Sequence, residues 1–263
     1  KIKIGVITFD PIPKMFFNKK IKNFKIMNIT QKIEQFKKQN VDFLINQKFS
    51  KKFSKIKANL FIDNYLNKKI KAKFLFVSSN FKFGNKREGD VNLLKFNEKK
   101  YNYKLITPSP LKKNKKIISS TLIRKLLSNG NLNTANKYLN KNWEIEGVVQ
   151  KGRKVGSKIG FATCNINIGD YLIARPGVYS VKVKLNKKIK NINGIANLGY
   201  RPTFNQKKIL LEVNLFNFNK NIYNHKIRVK FIKFVRSEKK FKNIKELTMQ
   251  IKKDIKVVKK SLN

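Results

Sequence analysis

The sequence predicts an α/β domain of the doubly wound, parallel-sheet type, followed by a small antiparallel β-barrel with a C-terminal helix. Three observations carry this. Residues 1–140 alternate apolar strand-like segments with helical ones, the order that places parallel strands between helices. After Trp143 the segments become short strands separated by Gly, Pro and Asn turns, an antiparallel barrel pattern. Lys239 to Val258 then sets Ile244, Leu247, Ile251 and Ile255 at helical spacing. The domains expected are 1–140 and 141–263, joined by a short linker near Asn140 to Trp143. A chain of 263 residues is long enough for two cores.

In order, Ile2 to Phe9 reads as a buried strand ending at Pro11. Thr30 to Gln39 reads as a helix, with Thr30 as its N-cap and Ile33 and Phe36 on one face. Val41 to Ile45 is strand-like, Asn59 to Leu66 helical, and Ala72 to Val77 another strand. Ser120 to Leu127 is a helix closed by Ser128, Asn129 and Gly130. The barrel strands expected are Trp143 to Gln150, Gly177 to Leu185, Gly194 to Leu198, Leu210 to Phe218 and Lys226 to Phe234.

Composition narrows the class. At 41% hydrophobic the chain folds rather than stays disordered. Its 62 basic and 14 acidic residues give a net charge of +48. Only Arg87, Arg124, Arg153, Arg175, Arg201, Arg228 and Arg236 are arginines; the rest are lysines spread over both halves. That spread reads as a bias of the whole protein, so nucleic acid is not expected as a dedicated partner. A general positive field would still draw phosphorylated ligands. Cys164 is the single cysteine, so no internal disulfide is possible and a reducing, cytoplasmic setting is expected. It reads as a core filler. Lysines interrupt every apolar run, so no membrane partner is expected, and no cleavable signal is seen. His225, the only histidine, falls in a turn-like segment, and without a Cys/His cluster zinc is not expected.

The chemistry concentrates after Gly147. A Gly-rich stretch (Gly152, Gly156, Gly160) precedes Thr163 and Asn165, and Glu212 follows, isolated between apolar residues. Glycines let backbone N–H groups approach phosphates. Thr and Asn oxygens can ligate Mg²⁺. A carboxylate can take the proton of an attacking hydroxyl. On an extended segment Thr163 and Asn165 share one face, as do Glu212 and Asn214. These residues suit phosphoryl transfer, although each alone equally suits a turn or a solvent-facing strand.

The run Gly156 to Asn165 resembles the G-R-x-L-G-F-P-T-A-N pattern of the riboflavin kinase half of bacterial bifunctional riboflavin kinase/FMN adenylyltransferases, the FAD synthetases. Ser157, Ala162 and Cys164 replace the Arg, Pro and Ala of that pattern. Gly177-Val178-Tyr179, the N-x-G-x-R-P-T-F of Asn197 to Phe204, and Arg236, Glu238 and Phe241 also match. In the front half, Val6 to Pro13, Asn80 to Asp90 and Ile118 to Arg124 resemble the family's V-T-F-E-P-H-P, D-F-R-F-G-x-x-R-x-G-D and I-S-S-T-x-I-R motifs, with Ile12 in place of the His.

The resemblance implies a Rossmann-like nucleotidyltransferase domain before a riboflavin kinase barrel. It implies Glu212 as the base on the ribityl hydroxyl, Mg²⁺ held by Thr163 and Asn165, and ATP as co-substrate. Gly152, Gly156, Lys158 and Gly160 would form a flap over the phosphates, and Arg236 and Glu238 would close the flavin pocket. Riboflavin, FMN and ATP are then the partners. An adenylyltransferase site would use Asn80, Arg87, Ser119, Ser120, Thr121 and Arg124. The family's G-x-F-D-G-V-H-x-G-H segment has no counterpart after Lys1. A chain truncated before its first strand is therefore expected, with a front half that is unstable and does not make FAD. Two other readings stay open: a basic barrel that grips RNA, and a flavin sensor that binds without phosphorylating.

Overall fold

Parallel pairing organises the front of the chain and antiparallel closure the rest. The computed structural model describes residues 2–151, 156, 159–185, 191–202 and 207–262, with 201, 202, 207 and 208 described by backbone alone. The chain divides into two compact units, Lys1–Ile21 with Gln35–Ile118, and Lys22–Glu34 with Ser119–Asn263.

In the first unit, β1 (Gly5–Asp10) runs parallel to β2 (Phe43–Lys48), with Val6 opposite Leu44. β3 (Phe74–Phe76) runs parallel to β4 (Lys104–Ile106). Each expected strand is present, shifted by a few residues, and the described strands form two separate parallel pairs. A short hairpin, β5 (Lys112–Lys113) and β6 (Lys116–Ile117), follows. The expected helix begins at Ala58 and continues through a π-helical stretch, Ile62–Lys69. Its Phe61, Ile62 and Leu66 pack with Phe83, Leu94 and Tyr103 into the unit's core.

The second unit opens with residues from early in the chain. Phe24 and Lys25 donate backbone bonds to the carbonyl of Asp170, and Leu172 donates back to Lys25. The helix Ile29–Lys38 starts here. Asn28, not Thr30, closes its first turn: Asn28 Oδ1 accepts from the Gln31 amide at 2.8 Å, and Gln31 Oε1 accepts from the Asn28 amide at 3.0 Å. This reciprocal arrangement satisfies two donors at once. Thr30 already lies inside the helix. Gln31 is fully buried and also donates to the Glu144 carbonyl at 3.1 Å. The helix Ser120–Ser128 is capped by Ser119 and followed by Leu132–Leu139, which was not among the expected helices. Ile123, Leu127, Leu132 and Ala135 join the barrel core.

Among the described residues six strands close the barrel: β7 (Glu144–Gln150), β8 (Cys164–Ile166), β9 (Gly177–Lys184), β10 (Ile192–Pro202), β11 (Lys207–Leu215) and β12 (Lys226–Ser237). Around the barrel the order is β10, β11, β8, β7, β12, β9, every pair antiparallel. Alternation sends Ile145, Val149, Ile166, Val181, Leu198, Leu211, Val213, Val229 and Phe231 inward. Trp143 is buried against Phe231, and its Nε1 donates to the Ile26 carbonyl at 3.0 Å. The C-terminal helix, Ile244–Leu262, packs on the outer wall through Val258 and Leu262 against Val178 and Ile195. Arg236 anchors it, its Nε and Nη2 donating to Asp254 at 2.7–3.0 Å.

Candidate active site

The cavity that matters lies between the outer face of the barrel and the C-terminal helix. It measures about 420 Å³, within the range of small-molecule sites. Gly156, Thr163, Asn165, Glu212, Arg236 and Glu238 all line it.

Pairing explains this convergence. In the antiparallel ladders Glu212 of β11 stands opposite Asn165 of β8 on one side and Asn197 of β10 on the other. Because Leu211 and Val213 point into the barrel, Glu212 and Asn214 point out, toward the cavity. One row of polar side chains thus crosses three strands. Asn165 is 5% exposed, and among the described residues its Oδ1 has no hydrogen-bond partner. A buried acceptor without a donor is costly unless a ligand supplies the missing contact. Its position beside Thr163 and Glu212 fits a hard cation or a ligand donor. Among the described residues no cluster of three His, Cys, Asp or Glu is present.

The Gly156 to Asn165 stretch is folded tightly. Phe161 and Ile159 donate to the Gly156 carbonyl at 2.7 and 3.2 Å. A Cβ at Gly156 would overlap the Phe161 carbonyl and come within 3.3 Å of the Thr163 hydroxyl, so only glycine fits. Gly160 has φ +83, a left-handed conformation, and does not line the cavity. Gly152 and Lys158 lie outside the described residues, as do Arg153, Lys154 and Ser157. Cys164 is buried in the core, and burial pushes its thiol up to about 11, consistent with a filler.

At the other end, Phe241, Leu247, Ile251 and Ile255 give an apolar wall. Arg236 spends its guanidinium on Asp254, with Nη1 donating to the Ser237 carbonyl at 2.9 Å. Glu238 stays solvent-accessible, yet partial desolvation pushes its carboxyl above the usual range. Its carboxylate rests where a Cβ on Gly199 would be, so Gly199 makes room for it.

The other predicted site is divided between the two units. Asn80, in the first, accepts from the Ser78 hydroxyl at 2.9 Å, and Arg87 ends a short turn with φ +64. In the second, Ser119 Oγ accepts from Leu122 N at 3.2 Å, the N-cap role. Ser120 and Thr121 start that helix. Arg124 lies 3.7 Å from the Phe24 ring centre and donates to the Phe24 carbonyl at 3.2 Å. His225 is an exposed residue of the turn before β12.

Sequence reasoning did not single out Asn197, Asn214, Tyr223 or Asp254, all of which line the cavity. For Asn214 the signal was present, since period two sets it beside Glu212. For Asp254 it was an acid four residues after Gln250 in a lysine-rich helix; Gln250 donates to it at 2.9 Å.

Residues 139–262 match the riboflavin kinase family and residues 1–122 the FAD synthetase family. The chain is 40% identical to the bifunctional riboflavin kinase/FMN adenylyltransferase of Buchnera aphidicola subsp. Schizaphis graminum, covering 98% of this chain and 83% of that protein. The Haemophilus influenzae protein of the same description is 36% identical, with 100% and 85% covered. The one from Bacillus subtilis is 33% identical, with 96% and 80% covered. Among solved structures, one described as a macrolide-efflux protein from Streptococcus pneumoniae superposes with a TM-score of 0.83 at 27% identity, covering 98% of this chain and 84% of that one. Among the described residues no helix is long and apolar enough to cross a membrane.

Proposed function

The chain belongs to the bifunctional riboflavin kinase/FMN adenylyltransferase family, and on that premise we propose that its barrel transfers the γ-phosphoryl group of ATP to the terminal ribityl hydroxyl of riboflavin, giving FMN and ADP. The observation that carries this is the row across β8 and β11: a carboxylate, Glu212, facing a buried amide, Asn165, whose Oδ1 lacks a protein donor among the described residues.

Glu212 accepts the proton of the hydroxyl as its oxygen bonds to the γ-phosphorus and the bond to the β-phosphate oxygen breaks. Asn165 Oδ1 and the Thr163 hydroxyl would hold Mg²⁺. That ion neutralises charge on the phosphates when bound. Gly156 lets the chain fold closely beside Thr163, and Gly152, Lys158 and Gly160 complete the proposed flap. The apolar wall from Phe241 to Ile255 suits a flat heterocycle, with Glu238 and Arg236 at its edge. Catalysis here is mainly positioning and electrostatics.

The proposed functional division is 1–140 for FMN adenylylation to FAD and 141–263 for the kinase. Lys22–Glu34 and Ser119–Asn140 pack within the barrel's unit. For the adenylyltransferase the contacts proposed are Asn80, Arg87, Ser119, Ser120, Thr121 and Arg124, since hydroxyls and free N–H groups at a helix start favour phosphate. The match over 1–122 supports this activity, and nothing in the comparisons supports the expectation that it is silent.

The test is incubation of the full chain with riboflavin, ATP and Mg²⁺, with flavins separated by chromatography. FMN is expected, with Glu212→Gln reducing its formation by about 10²–10⁴-fold. FAD in the same run reads the front half. A folded wild type that makes no FMN, or a Glu212→Gln chain that makes it at the wild-type rate, overturns the kinase reading and leaves a flavin sensor or an RNA-binding barrel.

A further inference from the structure

We propose that Asn214 is a positioning residue that holds the Thr163–Asn165 segment against the Glu212 strand, and thereby sets the affinity for the magnesium nucleotide. The inference rests on the kinase reading above and deepens it.

The pairing of β11 with β8 runs from Leu211 opposite Ile166 to Val213 opposite Cys164, and there it stops. Thr163 comes next, just past the last paired residue. A strand end beyond its ladder has lost the bonds that fix it, and its backbone frays. At this point a side chain takes over. Asn214 Nδ2 donates to the Ala162 carbonyl at 2.6 Å. The amide substitutes for a ladder bond one step beyond the ladder.

The geometry makes the substitution specific. Asn214 follows Glu212 by two residues in the same strand, so both side chains emerge on the cavity face. Continued register would set Asn214 opposite Thr163, as Glu212 is set opposite Asn165. The four side chains Glu212, Asn214, Asn165 and Thr163 therefore mark one patch of the cavity floor. Within it Asn214 is the member whose amide is bonded to the opposite chain segment. On the far side of Thr163, Gly156 and Phe161 close a turn through the 2.7 Å bond from Phe161 N to Gly156 O. Ala162 thus connects a turn to a strand, and the Asn214 bond sets its carbonyl. Glu212 does not depend on this bond, because β10–β11 pairing continues on both sides of it, and the apolar wall of Phe241, Leu247, Ile251 and Ile255 belongs to the C-terminal helix and the residues just before it.

The prediction is a split between substrates. In the full chain, Asn214→Ala is expected to raise KM for ATP, and the Kd for MgADP measured by calorimetry without turnover, by about five- to tenfold, the scale of one hydrogen bond to a carbonyl. KM for riboflavin should stay within about twofold. Asn214→Asp keeps the size but has no N–H to donate, and should lose at least as much. Asn214→His, whose ring N–H offers a donor at similar reach, should recover most of the loss. Unfolding midpoints of the three variants report whether each is folded; if Asn214→Ala does not fold, the Asp and His pair decides. Unchanged MgADP affinity in Asn214→Ala and Asn214→Asp, equal rises for both substrates, or a His variant no better than Ala would overturn the proposal. A wild type that forms FMN alongside any of these results sinks only the role of Asn214. A wild type that forms none sinks the kinase reading, while calorimetry still reads the nucleotide.

Discussion

Asn165 is 5% exposed and its Oδ1 has no partner among the described residues. Burying such an acceptor costs about 1–3 kcal/mol, so the residue is held at the expense of stability. On the proposed reading a ligand supplies the missing contact, since Asn165 lines the cavity with Thr163 and Glu212. Asn165→Leu is accordingly expected to leave the unfolding free energy unchanged or raise it by up to about 2 kcal/mol. FMN formation should fall at least about a hundredfold. Urea denaturation and the FMN assay on one preparation check both. A destabilised variant with intact activity would remove Asn165 from the site.

The element scale is set by residues 22–34, which fold with the barrel although they come from the front half. Their Glu34 accepts from Arg228 Nη1 and Nη2 at 2.6 and 2.8 Å, and Glu146 accepts from Arg228 Nη2 at 2.6 Å. Hydrogen bonding from Arg228 holds the Glu34 carboxyl below its ordinary 4.5. For Glu146 desolvation pushes upward, but hydrogen bonds from Lys226, Arg228 and Asn28 outweigh it, and the net shift is downward. Folded values below the unfolded one mean stabilisation that is complete above 4.5 and lost as pH falls through the folded values. The urea midpoint should therefore drop as pH is lowered from about 4.5 downward. Arg228→Met should weaken that pH dependence, because its carboxylates lose the partner that depresses them. Equal slopes for the two proteins would show that this network does not link the segment to the barrel.

At the scale of the whole molecule the net charge of +48 dominates. Acidic residues are few, and three of them, Glu34, Glu144 and Glu146, gather around Arg228. The remaining lysines repel one another, which disfavours the compact state and is screened by salt. The unfolding temperature is expected to rise as NaCl goes from about 20 to about 300 mM, and KM for ATP to rise with it, because the same screening weakens attraction of a polyanion. A thermal midpoint that is flat or falls over this range would show that the excess charge is already dissipated locally.

Periodicity was enough to read five of the six described barrel strands and the C-terminal helix, because alternation and helical spacing are written in neighbouring residues; β8, three residues long, is too short to show alternation. Motif order pointed to Glu212, Thr163 and Asn165: Thr163 and Asn165 alternate along one extended segment, Glu212 stands between apolar residues on another, and their order matches the family pattern. Three-dimensional pairing decided the rest. Thr30 had the residue type of an N-cap, but Asn28 took the role because Gln31 could answer it. Leu132–Leu139 was not read as a helix although Leu132, Ala135 and Leu139 stand at helical spacing, because it is short and follows directly on the Ser128-Asn129-Gly130 stop. Nothing local told that Lys22–Glu34 would fold with the barrel, that Arg236 would be committed to Asp254, or that Asn214 would reach Ala162. Those facts depend on which strands meet and in what register, and register is settled by burial across the closed barrel rather than by the residues on either side.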